Sequence, residues 1–315
     1  MRPLENRLTW SKSRGETFDR CLRNYWWQYY GAWGGWASDA PAEAREAYLL
    51  KNLHSRWTWV GDVVHRTIET ILHRVARRGS KKGELALDLD DGIDVASEVE
   101  SLTRAMRGDF RDSREGRYRA DPKRILGLVE HEYQLPVADT EWKEMNRRAI
   151  DAITRFLGSP LFREIEASDP KTWLPFEVLD SFDFEGTSVW AALDFARRTP
   201  DGGAEVYDWK TGEERPDANS LQLLCYALFV EQKHGVPAEQ VRGRLVYVNT
   251  GTIHEVVPTE SALAAARRTM RASIADMRRR LEMGGGPPTP SKLAFPMTEE
   301  LEHCTTCSFR RLCGR

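Results

Sequence analysis

The chain has 315 residues, 41% of them hydrophobic and 10% aromatic, enough apolar material for a substantial core in one elaborated domain. With 46 Lys+Arg against 48 Asp+Glu the formal net charge is -2, which excludes a generally basic nucleic-acid-binding surface and confines any such surface to a patch. No stretch approaches the roughly 20 apolar residues of a membrane span, and MRPLENRLTW lacks the apolar region of a secretory signal, so the expected location is the cytoplasm.

In chain order, a capping-type serine at Ser11 precedes an aromatic-rich run to Tyr30 that carries Cys21 and predicts a helix. After the Gly/Ala-rich stretch from Gly31 to Pro41, a second helix opens near Gly61, with His65, Ile68, Ile71 and Leu72 at helical spacing on one face. Residues 92–156 are charged and broadly helical, with breaks at Gly108, Pro122 and Pro136, and read as an inserted helical annex within a single domain spanning 1–315. WLPFEVLDSFDF, SVWAALDFARR and AEVYDWK then read as three consecutive strands, separated by Glu185-Gly186 and Asp201-Gly202-Gly203. A helix from about Ala218 to Lys233 follows. Next come a strand pair at Arg244–Asn249 and His254–Pro258 around Thr250-Gly251, and an arginine-rich helix from about Glu260 to Met283. The segment 284–315 is a GGGPPTP linker followed by a cysteine-rich end.

The third strand ends in Asp208-Trp209-Lys210, and the strand before it carries Asp194. Side chains alternate along a strand, so two carboxylates on neighbouring strands with a lysine two residues on can converge on one spot. Clustered oxygen ligands suit Mg²⁺ or Mn²⁺, and a fixed ammonium beside them suits a phosphate. A bare D-x-K also describes an ion pair at a strand end, and the triplet gains weight only from its company. Gln222 and Tyr226 lie at i and i+4 on the next helix, and His65 lies upstream in a helix that opens with glycine.

These residues resemble the PD-(D/E)XK nuclease superfamily, in particular its RecB-like branch. The likeness lies in G-D-V-V-H (Gly61 to His65), A-L-D ending at Asp194, Y-D-W-K-T-G (Tyr207 to Gly212) and Q-L-L-C-Y (Gln222 to Tyr226), in that order. It implies an α/β fold with a restriction-endonuclease-like mixed central sheet flanked by helices. It implies that His65, Asp194, Asp208 and the backbone carbonyl of Trp209 hold the metal, that Lys210 is the catalytic lysine, and that Gln222 and Tyr226 orient it or contact DNA. Glu177 resembles a further acidic position of the family. Ala192 departs from the glycine often found before the aspartate.

Cys304-x2-Cys307-x5-Cys313 brings three thiolates within reach of one metal, with Cys21 as the natural fourth and Cys225 as a buried structural thiol. Ligand chemistry alone allows zinc. The layout of one cysteine before the histidine motif and three near the C-terminus resembles the iron–sulfur subset of RecB-like nucleases, such as CRISPR-adaptation exonucleases and AddB-type subunits, and implies a [4Fe–4S] cluster that clasps the chain ends. Leu22 follows Cys21 where that subset often has proline, and His303 is a neighbouring alternative ligand.

Two arginine runs offer phosphate contacts or solvated helix faces: Arg104 to Arg124 in the annex, and Arg267 to Arg280. The aromatic run from Tyr25 to Trp36 offers base stacking or core packing. The expected activity is a Mg²⁺- or Mn²⁺-dependent deoxyribonuclease acting on ends or single strands in repair, phage defence or CRISPR adaptation. The other class is a non-catalytic DNA-binding or scaffolding subunit, against which the intact acid–acid–lysine set argues. No Walker A loop is present, so any helicase motor would be a separate partner.

Overall fold

A computed structural model describes residues 5–81 and 92–315. Ser11 caps α1 (Lys12–Arg20) by accepting from the Arg14 amide, but the aromatic run does not continue as one helix. Cys21 is extended (φ -162°), and its sulfur caps α2 (Leu22–Trp26) by accepting from the Asn24 amide. A π-helical turn at Trp27–Gly31 follows. α3 (Ala42–Lys51) and the short strand β1 (Leu53–His54) lead into α4 (Arg56–Lys81). This helix starts before Gly61 because its apolar face already begins at Trp59 and Val60, both buried.

Residues 92–156 divide into α5 (Val95–Arg114), β2 (Gly127–Leu128), α6 (Val129–Glu132) and α7 (Asp139–Gly158). Gly108 does not interrupt α5. A helical glycine costs about 1 kcal/mol, less than the burial of Leu102 and Met106 on the same helix provides. β2 pairs in parallel with β1. Met145, Ala149, Ile153 and Phe156 of α7 share one core cluster with Val64 and Ile68 of α4, so this segment helps to build the wall that carries His65. α8 (Pro160–Ala167) continues that wall.

The three strand-like runs become four strands in two sheets. β3 (Asp180–Phe184) and β4 (Thr187–Ala191) form a separate antiparallel hairpin, while β5 (Phe195–Arg198) and β6 (Ala204–Lys210) pair in the central sheet. The burial patterns explain the split. β4 alternates buried and exposed, as a one-sided hairpin does, whereas β5 and β6 are almost continuously buried, as strands covered on both faces are.

α9 (Pro216–His234) crosses to β7 (Val241–Tyr247), parallel to β6, and β8 (Thr252–Val256) closes the order β5-β6-β7-β8 antiparallel to β7. α10 (Glu260–Met283) has the bounds its sequence implied. This mixed sheet lies between α9 and α10, which pack on the Val206 face, and α4 and α7, which pack on the Tyr207 and Trp209 face. Past α10, Arg23 ties the N-terminal helices to the chain's end: its amide donates to the Pro296 carbonyl (3.1 Å) and its Nε to the Phe295 carbonyl (2.7 Å). The short helix α11 (Glu302–Thr305) carries Cys304, and a 3-10 turn at Arg310–Cys313 follows it.

Candidate active site

The antiparallel register sets Phe195 opposite Tyr207, so the next residues outward, Asp194 and Asp208, come side by side. Asp194 lies in a bend just before β5 and not on a strand, because the chain is there leaving the β3–β4 hairpin for the central sheet. Its Oδ2 accepts from the Trp209 amide at 2.8 Å, extending the strand pairing by one contact. Asp208 is 1% exposed, and its Oδ2 lies 2.6 Å from Lys210 Nζ. Lys210 Nζ donates to Gln222 Oε1 (3.1 Å), and Gln222 Nε2 donates to the Tyr226 hydroxyl (2.7 Å) along one face of α9.

α4 brings His65 from the opposite wall. Its Nε2 lies 2.9 Å from the Trp209 carbonyl oxygen, and its Nδ1 lies 3.5 Å from Asp194 Oδ2 and 4.0 Å from Glu177 Oε1. Gly61, one turn earlier, allows this approach: a Cβ there would sit 3.2 Å from Thr211 Oγ1, just past the lysine.

Glu177, expected on a strand, occupies a bend with φ 55°. A left-handed conformation costs a non-glycine residue about 1–3 kcal/mol and persists where the surroundings enforce it. Here the Glu177 amide donates to the Leu193 carbonyl at 2.7 Å. The bend delivers the carboxylate to the site, where Oε1 is buried without a hydrogen-bond partner. One ligand atom each from His65, Glu177 and Asp194 lies within 4.8 Å of the others. Asp208 stands outside this trio; its Oδ2 is ion-paired to Lys210 but, like Glu177 Oε1, is buried without a hydrogen bond.

The electrostatics follow from crowding. Burial, then the Asp194 charge, pushes Glu177 up to about 7. The same two causes raise Asp208 to about 6, against the pull of Lys210. Burial depresses His65, but Asp194, Asp208 and Glu177 together outweigh it and carry the imidazole up to about 9. A divalent cation reverses such repulsion. Three carboxylates, an imidazole and a carbonyl form a donor set suited to one, and the unbonded Glu177 oxygen is free to join it.

Two clefts open on this centre. One, of about 650 Å³, is lined by Lys12, Arg14, Trp190, Lys210, Gln222 and Tyr226. The other, of about 630 Å³, is lined by Trp57, His65, Arg66, Lys123, Arg124 and Glu177. Arg14 and Trp190 escaped the sequence reading. Arg14 is buried, with Nη2 donating to the Tyr25 and Tyr30 hydroxyls, and the one signal for it was a lone arginine just ahead of a tyrosine-rich run.

Cys21, Cys304, Cys307 and Cys313 line one small cavity with Asn24 and His303. Asn24 donates to both Cys21 Sγ (3.5 Å, through its amide) and Cys307 Sγ (3.4 Å, through its side chain). His303 Nε2 pairs with Glu300 at 3.3 Å. Cys225 is buried far along the sequence from these, against Met270. Of the arginine runs, Arg267, Arg271 and Arg279 are ion-paired to Glu231, Glu185 and Asp276, and Arg104 and Arg117 to Glu100 and Asp112. Of the aromatic run, Tyr25, Trp27 and Tyr30 are core, and Trp36 is exposed.

Among the described residues no helix is long and apolar enough to cross a membrane. No curated protein sequence matches the chain. One solved structure, titled "Crystal structure of SSO0001", is similar at 16% identity with a TM-score of 0.29, covering 78% of this chain and 96% of that one. The profile of the PD-(D/E)XK nuclease superfamily matches residues 9–314. The chain therefore belongs to the PD-(D/E)XK nuclease superfamily.

Proposed function

We propose that the protein is a Mg²⁺- or Mn²⁺-dependent deoxyribonuclease of the RecB-like branch, hydrolysing phosphodiester bonds at DNA ends or in single strands. The observation that carries this reading is the junction of the His65–Glu177–Asp194 trio with the Asp208–Lys210–Gln222 chain on the end of β6. His65, Asp194, Asp208, the Trp209 carbonyl and Glu177 would hold the cation, which supplies charge neutralisation at the scissile phosphate and a lowered pKa for attacking water.

The chain's own groups do the rest. Lys210 is held between the Asp208 carboxylate and the Gln222 amide, so its ammonium meets a phosphate oxygen without first being ordered. Gln222 and Tyr226 fix that ammonium from the α9 side. The Asp194 contact to the Trp209 amide keeps the Trp209 carbonyl turned to His65.

The four cysteines would take a [4Fe–4S] cluster, zinc being the other occupant their chemistry permits. Their shared cavity and the Arg23 contacts to residues 295 and 296 support a clasp between the chain's two ends. Partners would be DNA and, for duplex unwinding, a separate helicase or another repair or defence subunit. The test is incubation of purified protein with end-labelled single- and double-stranded DNA in Mn²⁺, Mg²⁺ or chelator. Metal-dependent release of short products is expected; no cleavage with either ion on either substrate overturns the reading.

A further inference from the structure

The cleft on the His65 side does not end at the metal centre. Pro122 lines it and also lines a third cavity of about 650 Å³, walled by Trp36, Tyr48, Arg45, Arg119 and Arg311. α3 supplies Arg45 and Tyr48 to this third cavity, and Asn52, just past the end of α3, lines the second cleft. The two hollows thus adjoin at Pro122, with the α3 segment through Asn52 and residues 119–124 contributing to both.

Each hollow presents a half-exposed indole. Trp57, 50% exposed, lines the second cleft with Lys123 and Arg124 and has the Arg56 and Arg148 guanidiniums over its ring (5.3 and 5.2 Å), and Trp36 is 48% exposed in the third cavity. The Trp36 ring is braced edge-on by Trp33 (5.2 Å, 80°) and Tyr48 (5.8 Å, 64°), so its orientation is set before anything binds. Arg45 is anchored by Nη2 to the carbonyls of Ser38 (3.0 Å) and Ala40 (3.1 Å). Among the described residues no carboxylate pairs with Arg45 or Lys123. A cation with no carboxylate partner is open to a phosphate, and a rigid exposed ring offers any base a face to stack on.

We infer that a single DNA strand engaged at the metal centre runs on past Trp57 and Lys123, across Pro122, into the third cavity, where Trp36 stacks a base and Arg45 contacts a phosphate. The inference rests on the nuclease reading for what lies at the centre. It adds a holding station remote from the bond that is cut, so the protein grips long single strands more tightly than short ones.

The test measures binding of a ladder of oligothymidylates by fluorescence anisotropy in chelator, with wild type, Trp36→Ala, Trp36→Phe and Arg45→Ala, alongside Mn²⁺-dependent cleavage of the same ladder. Wild-type affinity should rise with length to a plateau. Trp36→Ala should lower affinity about tenfold, the order of one lost base stack, only beyond a threshold length. Trp36→Phe should restore most of it, and Arg45→Ala should shallow the salt dependence of the long oligomers alone. Cleavage of the shortest substrates should match wild type in all three variants.

Equal weakening at every length, or no weakening at any length, overturns the proposal, as does tighter binding of oligouridylates of the same lengths. A length-dependent Trp36 effect in a protein that cuts nothing would sink the nuclease reading and leave the station standing. Cleavage without that effect would sink only the station.

Discussion

The strand that carries Asp208 and Lys210 is itself held by a buried charge, Glu205, and its removal gives a quantitative test of how the sheet supports the site. Glu205 Oε2 accepts from Arg197 Nε (2.9 Å) and Nη2 (2.7 Å) on β5 and from the Tyr207 hydroxyl (2.7 Å), and Oε1 accepts from Arg244 Nη2 (2.5 Å) on β7. One carboxylate therefore ties three strands. In Glu205→Gln two arginines lose their shared counter-charge inside the protein, a change that costs about 3–5 kcal/mol when a buried pair is broken from one side. Arg197 keeps Glu164 and Arg244 keeps Glu255 at 3.9 Å, which places the expected loss near the lower end, about 3 kcal/mol.

The pH dependence has a definite sign. Burial raises the Glu205 carboxyl, but donation from Tyr207 and Arg197 and the two guanidinium charges outweigh it and hold it below the ordinary value of 4.5. The stabilisation is therefore fully present above that value and disappears as pH falls through the lower folded one. Urea unfolding at pH 7, followed by tryptophan fluorescence and far-UV circular dichroism, should show the full deficit, and the gap between variant and wild type should narrow below pH 4.5. A deficit under about 1 kcal/mol at pH 7 would refute the reasoning, as would a gap that widens in acid.

Gln222→Ala leaves the Lys210 ammonium held from the Asp208 side alone and strands the Tyr226 hydroxyl, so kcat should fall about tenfold with KM little changed; Tyr226→Phe, which leaves the Lys210–Gln222 contact in place, should cost less. Steady-state cleavage kinetics decide between that split and a binding defect. For the cysteines, anaerobically prepared protein should be brown, with Cys304→Ser abolishing the visible absorption and Cys225→Ser, buried against Met270, leaving it intact. Stoichiometric zinc in a colourless protein would contradict the proposed iron–sulfur cluster.

What the sequence yielded was what local pattern encodes. The Asp208-x-Lys210 step at a strand end, the shared face of Gln222 and Tyr226, and the bounds of α10 all rest on neighbours within a turn or a strand. The split of SVWAALDFARR between two sheets was not legible, because apolar alternation looks the same whichever sheet a strand joins. The bend at Glu177 was equally hidden: nothing in LPFEVLD marks a left-handed glutamate, which is imposed by the contact to Leu193. The charged segment before residue 156 gave no hint that α7 would pack in the same core as α4, since Met145, Ala149, Ile153 and Phe156 are apolar islands among charges until a partner helix lines them up. The clefts, with Arg14, Trp57 and Trp190, are assembled by folding alone and have no local signature.

The central claim, that the carboxylates, His65 and Lys210 form one metal-dependent cutting centre, is tested most directly by single-turnover cleavage of end-labelled single-stranded DNA in Mn²⁺, comparing wild type with Lys210→Ala. DNA binding by anisotropy and Mn²⁺ binding by calorimetry are followed on the same samples. The account predicts that wild type cuts only with metal, and that Lys210→Ala still binds both DNA and Mn²⁺ but cuts slower by about two orders of magnitude or more. Cleavage by Lys210→Ala at the wild-type rate would contradict it.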